Sequence, residues 1–229
     1  NIFTTIDTRI NRSSLEQNDM IENEFWNMIS LLELVLAHNK LEEPQSIHNI
    51  SYFTEQIYKE VQLNYPKLNI SDEEIENVSK LATIHDIGKL FTPYEILNKK
   101  GKLTKDEMDI IKKHPLNGAN MALKLPKCGK ASKLVQYAYN ICLYHHERYD
   151  GQGYPKGLIG DEIPLCAQVV GLADAYDALI SERPYKRKIN HGEAVRMIVN
   201  GECGSFSPKV ILSFIIASMN KTWIEKVSK

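Results

Sequence analysis

LATIHDIGKL, residues 81–90, closes an apolar helical stretch on a His-Asp pair and follows it at once with Gly88 and Lys89. Upstream, Ser71-Asp-Glu-Glu74 puts an N-cap hydroxyl three residues ahead of a carboxylate, the capping-box signature of a helix start. The helix opened there is expected to run into His85 and Asp86. A His-Asp dipeptide is common, and alone it reads as a capped helix end. Its meaning depends on what the rest of the chain brings to it.

Outward from this stretch the signal is helical almost everywhere. Phe25, Ile29, Leu32, Val35 and Leu36 recur at three- and four-residue steps, so a helix is expected from about Ile21. Residues 1–20 are polar without a clear period and read as a lead-in or linker. A second helix carries His48, Tyr52, Phe53 and Ile57. Thr104-Lys-Asp-Glu107 repeats the capping box ahead of MDIIKKHPLNGANMALKL (108–125), where Pro115 marks an internal boundary. KLVQYAYNICLYHH (133–146) is a further helix, closed by a glycine-rich loop. LCAQVVGLADAYDALI (165–180) follows Pro164, and helices are expected over 191–200 and 208–219. No alternating run of strand length occurs. The expectation is one all-α domain over residues 21–225.

Composition excludes several classes. Among 229 residues the formal net charge is −1, with Lys and Arg balanced by Asp and Glu and gathered in no basic block, so a nucleic-acid polymer is not the expected partner. The apolar runs MISLLELVLA and VILSFIIASM fall short of a membrane span. Cys128, Cys142, Cys166 and Cys203 form no C-x-x-C pair and read as reduced thiols of a cytoplasmic protein.

The histidines carry the chemistry. His38 and His191 read as structural or solvated. His85, His114 and the pair His145-His146 all fall near helix ends, and His48 near a helix start. Adjacent residues sit about 100° apart around a helix, so both rings of His145-His146 can serve one site only where the helix unwinds. Asp174 and Asp177 lie inside an apolar helix, where a carboxylate needs a partner or a cation. Imidazole and carboxylate donors together suit Fe, Mn, Zn or Ni.

HDIGK (85–89), GKLTKDEMDIIKKHPLNG (101–118), HHERYDGQGYP (145–155) and ADAYDALISERPYK (173–186) resemble the HD-GYP family over roughly residues 21–219. That family comprises all-α HD-domain phosphodiesterases, helical bundles with additional C-terminal helices, which hydrolyse the bacterial messenger cyclic di-GMP. The resemblance implies one metal ion held by His48, His85, Asp86 and Asp174, and a second held by the bridging Asp86 with His114, His145 and His146. Fe or Mn is the expected metal, and Zn and Ni suit the same donors. Two such ions about 3.5–4 Å apart share a hydroxide and clamp the attacking and leaving oxygens at phosphorus.

On the same resemblance, Lys89 neutralises charge on the scissile phosphate, and Arg183 and Lys186 grip a phosphate of the ligand. Gly153, Tyr154 and Pro155 form the loop linked in the family to partners such as diguanylate cyclases, although bracing the loop explains Tyr154 and Pro155 equally well. Asp150 is expected to bond within that loop. Asp177 is expected to support a metal ligand or a basic residue. Gly151 and Gly153 are expected to take backbone angles that a Cβ resists.

The chain departs from the family at two places. Pro44 stands where some members have a Glu that ligates a third metal, and Glu43 is one position off, which predicts a dinuclear site. Phe206-Ser207-Pro208 replaces the usual Phe-Asp-Pro. The leading expectation is hydrolysis of cyclic di-GMP to pGpG, and onward to GMP. The alternatives are another cyclic dinucleotide or nucleotide substrate, or a receptor without catalysis.

Overall fold

The computed structural model describes residues 2–41, 43–127, 129, 131–181 and 188–227, with side chains described from Glu16 to Lys226. Eleven α-helices are described: α1 (Ile2–His38), α2 (Pro44–Asn64), α3 (Asp72–Leu81), α4 (Tyr94–Leu97), α5 (Lys105–Ile111), α6 (His114–Ala122), α7 (Ala131–Tyr144), α8 (Leu165–Ile180), α9 (His191–Val199), α10 (Pro208–Ser218) and α11 (Lys221–Val227). Short 3₁₀ segments occupy Ala82–Ile84 and Ile87–Phe91. Among the described residues the one trace of β-structure is an isolated antiparallel bridge between Asp150 and Ile159.

Burial periodicity explains the helices. In α7 the residues Ala131, Leu134, Val135, Ala138, Ile141 and Cys142 form an inward stripe at helical spacing. In α1 Phe25, Ile29 and Leu36 do the same. Helix α8 is buried along most of its length, as its apolar sequence demands. Helix α2 packs on α3, α8 and α10, while α7 packs on α6 and α8. Phe53 of α2, Tyr176 of α8, Phe214 of α10 and Trp223 of α11 meet in an aromatic cluster with ring centroids 4.6–5.8 Å apart. Each such side chain contributes roughly 1.5–3 kcal/mol when fully buried. The Tyr176 hydroxyl accepts from Trp223 Nε1 (3.0 Å) and lies 2.7 Å from His191 Nδ1, so His191 is structural.

The starts and stops follow the sequence with three differences. Helix α1 begins at Ile2 rather than near Ile21: extending a helix adds one hydrogen bond per residue once a packed segment has nucleated it, so aperiodic polar residues can join. Ser71 caps α3 by accepting from Glu74 N, but the Glu74 carboxylate accepts from Tyr58 Oη (2.6 Å) instead of returning to the cap. Thr104 and Glu107 form the full capping box. Helices α4 and α11 are elements that the sequence pattern does not announce.

A candidate metal centre at three helix ends

Asp86 stands between α3 and the rest of the HDIGK stretch, where the α-helix has given way to 3₁₀ turns. Gly88 allows this segment to lie directly on α6. A Cβ there would come within 1.9 Å of the His114 carbonyl oxygen, so any other residue would push His114 away from Asp86. His114 opens α6, with Pro115 in the first turn where its missing N–H costs nothing.

Three histidines are held in the same manner. His85 Nδ1 bonds the carbonyl of Ala82 (2.9 Å). His114 Nδ1 bonds that of Ile111 (2.8 Å). His145 Nδ1 reaches those of Ile141 (2.9 Å) and Cys142 (3.0 Å). Each acceptor lies three or four residues earlier, in a last turn, and those of Ala82 and Ile141 also accept the backbone N–H of the histidine itself. The N–H is therefore on Nδ1, and each Nε2 presents a lone pair to the interior. That is the orientation of a metal-ligating histidine whose second nitrogen is fixed by a backbone carbonyl.

The free nitrogens converge on Asp86. His114 Nε2 is 2.9 Å and His145 Nε2 3.7 Å from Oδ1, while His85 Nε2 is 3.3 Å from Oδ2. His85 Nε2 also lies 3.7 Å from Asp174 Oδ1. Donor atoms of Asp86, His114, His145 and His146 all lie within 4.8 Å of one another. His85 Nε2 and Asp86 Oδ1 are nevertheless buried without a hydrogen-bond partner among the described residues. Lone pairs facing one another across a buried site are repulsive unless a cation stands between them, and the donor set is that of a transition metal.

Electrostatics agree. Burial opposes the ionisation of Asp86, but Lys89 and His85 outweigh it and hold the carboxyl well below its usual range. Asp174 behaves alike: burial pushes it up and the His85 contact brings it down. Burial pushes His85 toward its neutral form, yet Asp86 and Asp174 raise it well above the ordinary value. Positive charge is thus demanded between the two carboxylates. His145 and His146 are lowered, by burial first, and so are neutral donors. Lys89 Nζ makes an ion pair with Asp86 Oδ2 from one turn further on.

The remaining candidates divide. His146 joins the cluster through ring contacts with His114 (5.0 Å) and His145 (4.1 Å). His48, early in α2, is exposed, and no described contact joins it to the other histidines. Among the described residues no hydrogen bond or ion pair joins Asp177 to the cluster. It accepts hydrogen bonds from Ser46 Oγ, Asn49 Nδ2 (2.8 Å) and Ser181 Oγ (3.1 Å), tying the first turns of α2 to α8 on either side of His48. Arg183 and Lys186 lie outside the described residues. Pro44 occupies the first turn of α2, with Glu43 at its N-cap. Ser207 takes the N-cap of α10, and its buried hydroxyl makes no cap bond.

In the loop, Asp150 Oδ1 accepts from Gln152 N (3.0 Å). Gly151 has φ +78°, as expected, whereas Gly153 is required by space: a Cβ would lie 2.3 Å from Arg148 N and 2.4 Å from Glu147 Cα. Two neighbours were not singled out from sequence. Glu147 is buried and accepts from the N–H groups of Lys156 (2.7 Å) and Leu158 (3.0 Å), holding the far side of the loop. Arg148 donates to the carbonyls of His145 (3.1 Å) and Glu147 (2.9 Å), and its guanidinium lies over the Phe206 ring. Two charged residues directly after a ligand pair are the signal that could have marked them.

Comparison with known proteins agrees with this geometry. Residues 33–210 match the family described as HD domain. A probable cyclic di-GMP phosphodiesterase from Vibrio cholerae is 44% identical over 152 residues, covering 66% of this chain and 34% of that protein. The 3'3'-cGAMP-specific phosphodiesterase 2 of the same organism is 32% identical over 142 residues, covering 62% of this chain and 26% of that protein. The fold is also similar to the crystal structure of a cyclic GMP-AMP specific phosphodiesterase of V. cholerae, with a TM-score of 0.60 at 18% identity, covering 90% of this chain and 51% of that one. The chain belongs to the HD domain family, and its paired histidines and Gly-Tyr-Pro loop are of the HD-GYP type. It spans about a third or less of the length of these two curated relatives.

Proposed function

We propose that the chain is a metal-dependent phosphodiesterase that opens cyclic di-GMP to linear pGpG and carries it on to GMP. The observation that carries this reading is the convergence of three tautomer-fixed Nε2 atoms on one buried carboxylate, with Lys89 beside it. The name of the 44%-identical relative supplies the substrate class.

His48, His85, Asp86 and Asp174 would hold one ion, and Asp86, His114, His145 and His146 a second. Pro44 in place of a third-site ligand supports two ions rather than three. Fe or Mn is our assignment. When bound, the ions supply Lewis acidity at phosphorus and a nucleophile at neutral pH. The chain's own work is positioning and charge. Asp86 fixes the centre, Lys89 meets the charge that develops on the phosphate oxygens, and Arg183 and Lys186 grip a phosphate of the dinucleotide. With an intracellular messenger as substrate, the cytoplasm is its place of work.

A second reading keeps the chemistry and changes the substrate to 3'3'-cGAMP, favoured by the name of the 32%-identical relative. Anaerobic incubation of Mn- or Fe-loaded protein with each cyclic dinucleotide, followed by chromatography, separates the two. Formation of pGpG or GMP from cyclic di-GMP, abolished by a chelator and by Asp86→Ala, is the expected result. Turnover of cGAMP alone selects the second reading. Loaded protein that leaves both intact overturns the enzymatic assignment.

A further inference from the structure

His146 differs from the other three clustered histidines in how it is held. His85, His114 and His145 each have Nδ1 tied to a backbone carbonyl. No hydrogen bond to either ring nitrogen of His146 occurs among the described residues. Its ring is instead stacked on that of Tyr154, with centroids 4.7 Å apart and planes inclined by 27°. The backbone closes the same contact, because Tyr154 N donates to the carbonyl of His146 (3.3 Å). Gly153 is what lets the loop come this near, since its α-carbon lies against the Glu147–Arg148 backbone where a Cβ has no room.

A second group bears on the tyrosine. Lys112 Nζ stands 5.4 Å from the centre of the Tyr154 ring, an ammonium over an aromatic face. Lys112 is the C-cap residue of α5 and lies two residues before His114. The segment that delivers His114 to the cluster therefore also supplies the cation that engages Tyr154.

We propose that Tyr154, held by Lys112, is the positioning residue for His146: stacking does for this ligand what carbonyl hydrogen bonds do for the other three. The Gly-Tyr of the loop then serves the metal centre directly, Gly153 by allowing the approach and Tyr154 by fixing the ring plane. This rests on the reading of His146 as a metal ligand.

Cobalt(II) is a suitable probe, since its visible absorption reports the donors and geometry at the ion. The metal-free chain is titrated anaerobically, with circular dichroism to verify folding. Tyr154→Leu, which keeps bulk and loses the stack, is expected to weaken one Co(II) step by about 10–100-fold and to alter its visible band. Tyr154→Phe is expected to retain both affinity and spectrum. Lys112→Met should weaken the same step by about two- to fivefold, and Lys112→Arg should restore it. A folded Tyr154→Leu protein that titrates as wild type overturns the proposal. Should that variant fail to fold, wild-type titration by Lys112→Met overturns it instead. His146→Ala titrating as wild type would remove the ligand itself, and the proposal with it. All of these readouts concern metal binding, so failure of cyclic di-GMP to react leaves them untouched.

Discussion

The two sides of Asp86 are built differently. On one side His114 and His145 are buried, and each is tied to a carbonyl three or four residues earlier in its own segment. On the other, Asp174 is partly exposed and, among the described residues, touches the cluster through His85, and His48 is exposed on α2. The inner donors are set by local backbone geometry, so they keep their aim wherever their segments dock. The proposed outer donors depend on how α2 lies against α8, a relation maintained by Asp177 through Ser46 and Asn49. A pocket assembled in this way should bind two ions unequally.

The sharpest way to break that comparison is to remove one donor from each side. His114→Ala should cost more than about 100-fold in metal affinity, beyond what changes around a ligand usually produce, and His48→Ala should cost clearly less. Competition titration against a chromophoric chelator reads both, and equal losses would erase the distinction. Lys89→Ala tests whether the residue paired with Asp86 belongs to binding or to chemistry. Metal content should persist while turnover falls by about 10²–10³, and an unchanged rate would place Lys89 outside the reaction. Gly88→Ala should cost at least about 1–3 kcal/mol of stability in denaturant unfolding and weaken metal binding with it, because its Cβ meets the His114 carbonyl and moves that ring away from Asp86. An unaltered midpoint would mean that α6 can retreat without strain.

Much of this was legible in the sequence because the decisive contacts are local. His85, His114 and His145 could be picked out as candidate ligands since they fall at helix ends, and the helix ends were marked by caps, by Pro115 and by glycines. The partner of Asp177 was not legible. An apolar helix announces that a buried aspartate needs donors, but Ser46 and Asn49 lie far away in the chain and only packing brings them there. The same holds for Glu74, whose bond to Tyr58 displaces half of an expected capping box. Gly153 shows a third limit: a glycine in a loop suggests unusual torsion, whereas here it answers a close approach that exists only in the folded chain.

The aim of Asp86 at rings from its own segment and from two other helix ends has a consequence for folding. The donors lie on segments far apart in sequence, and an unfolded chain offers no comparable cluster. A cation that binds there binds the native state alone, and mass action then shifts the folding equilibrium toward it as the free ion concentration rises above its dissociation constant. Metal supply and the persistence of the fold are in this way thermodynamically linked, so that a chain deprived of its ions is both unable to react and easier to unfold.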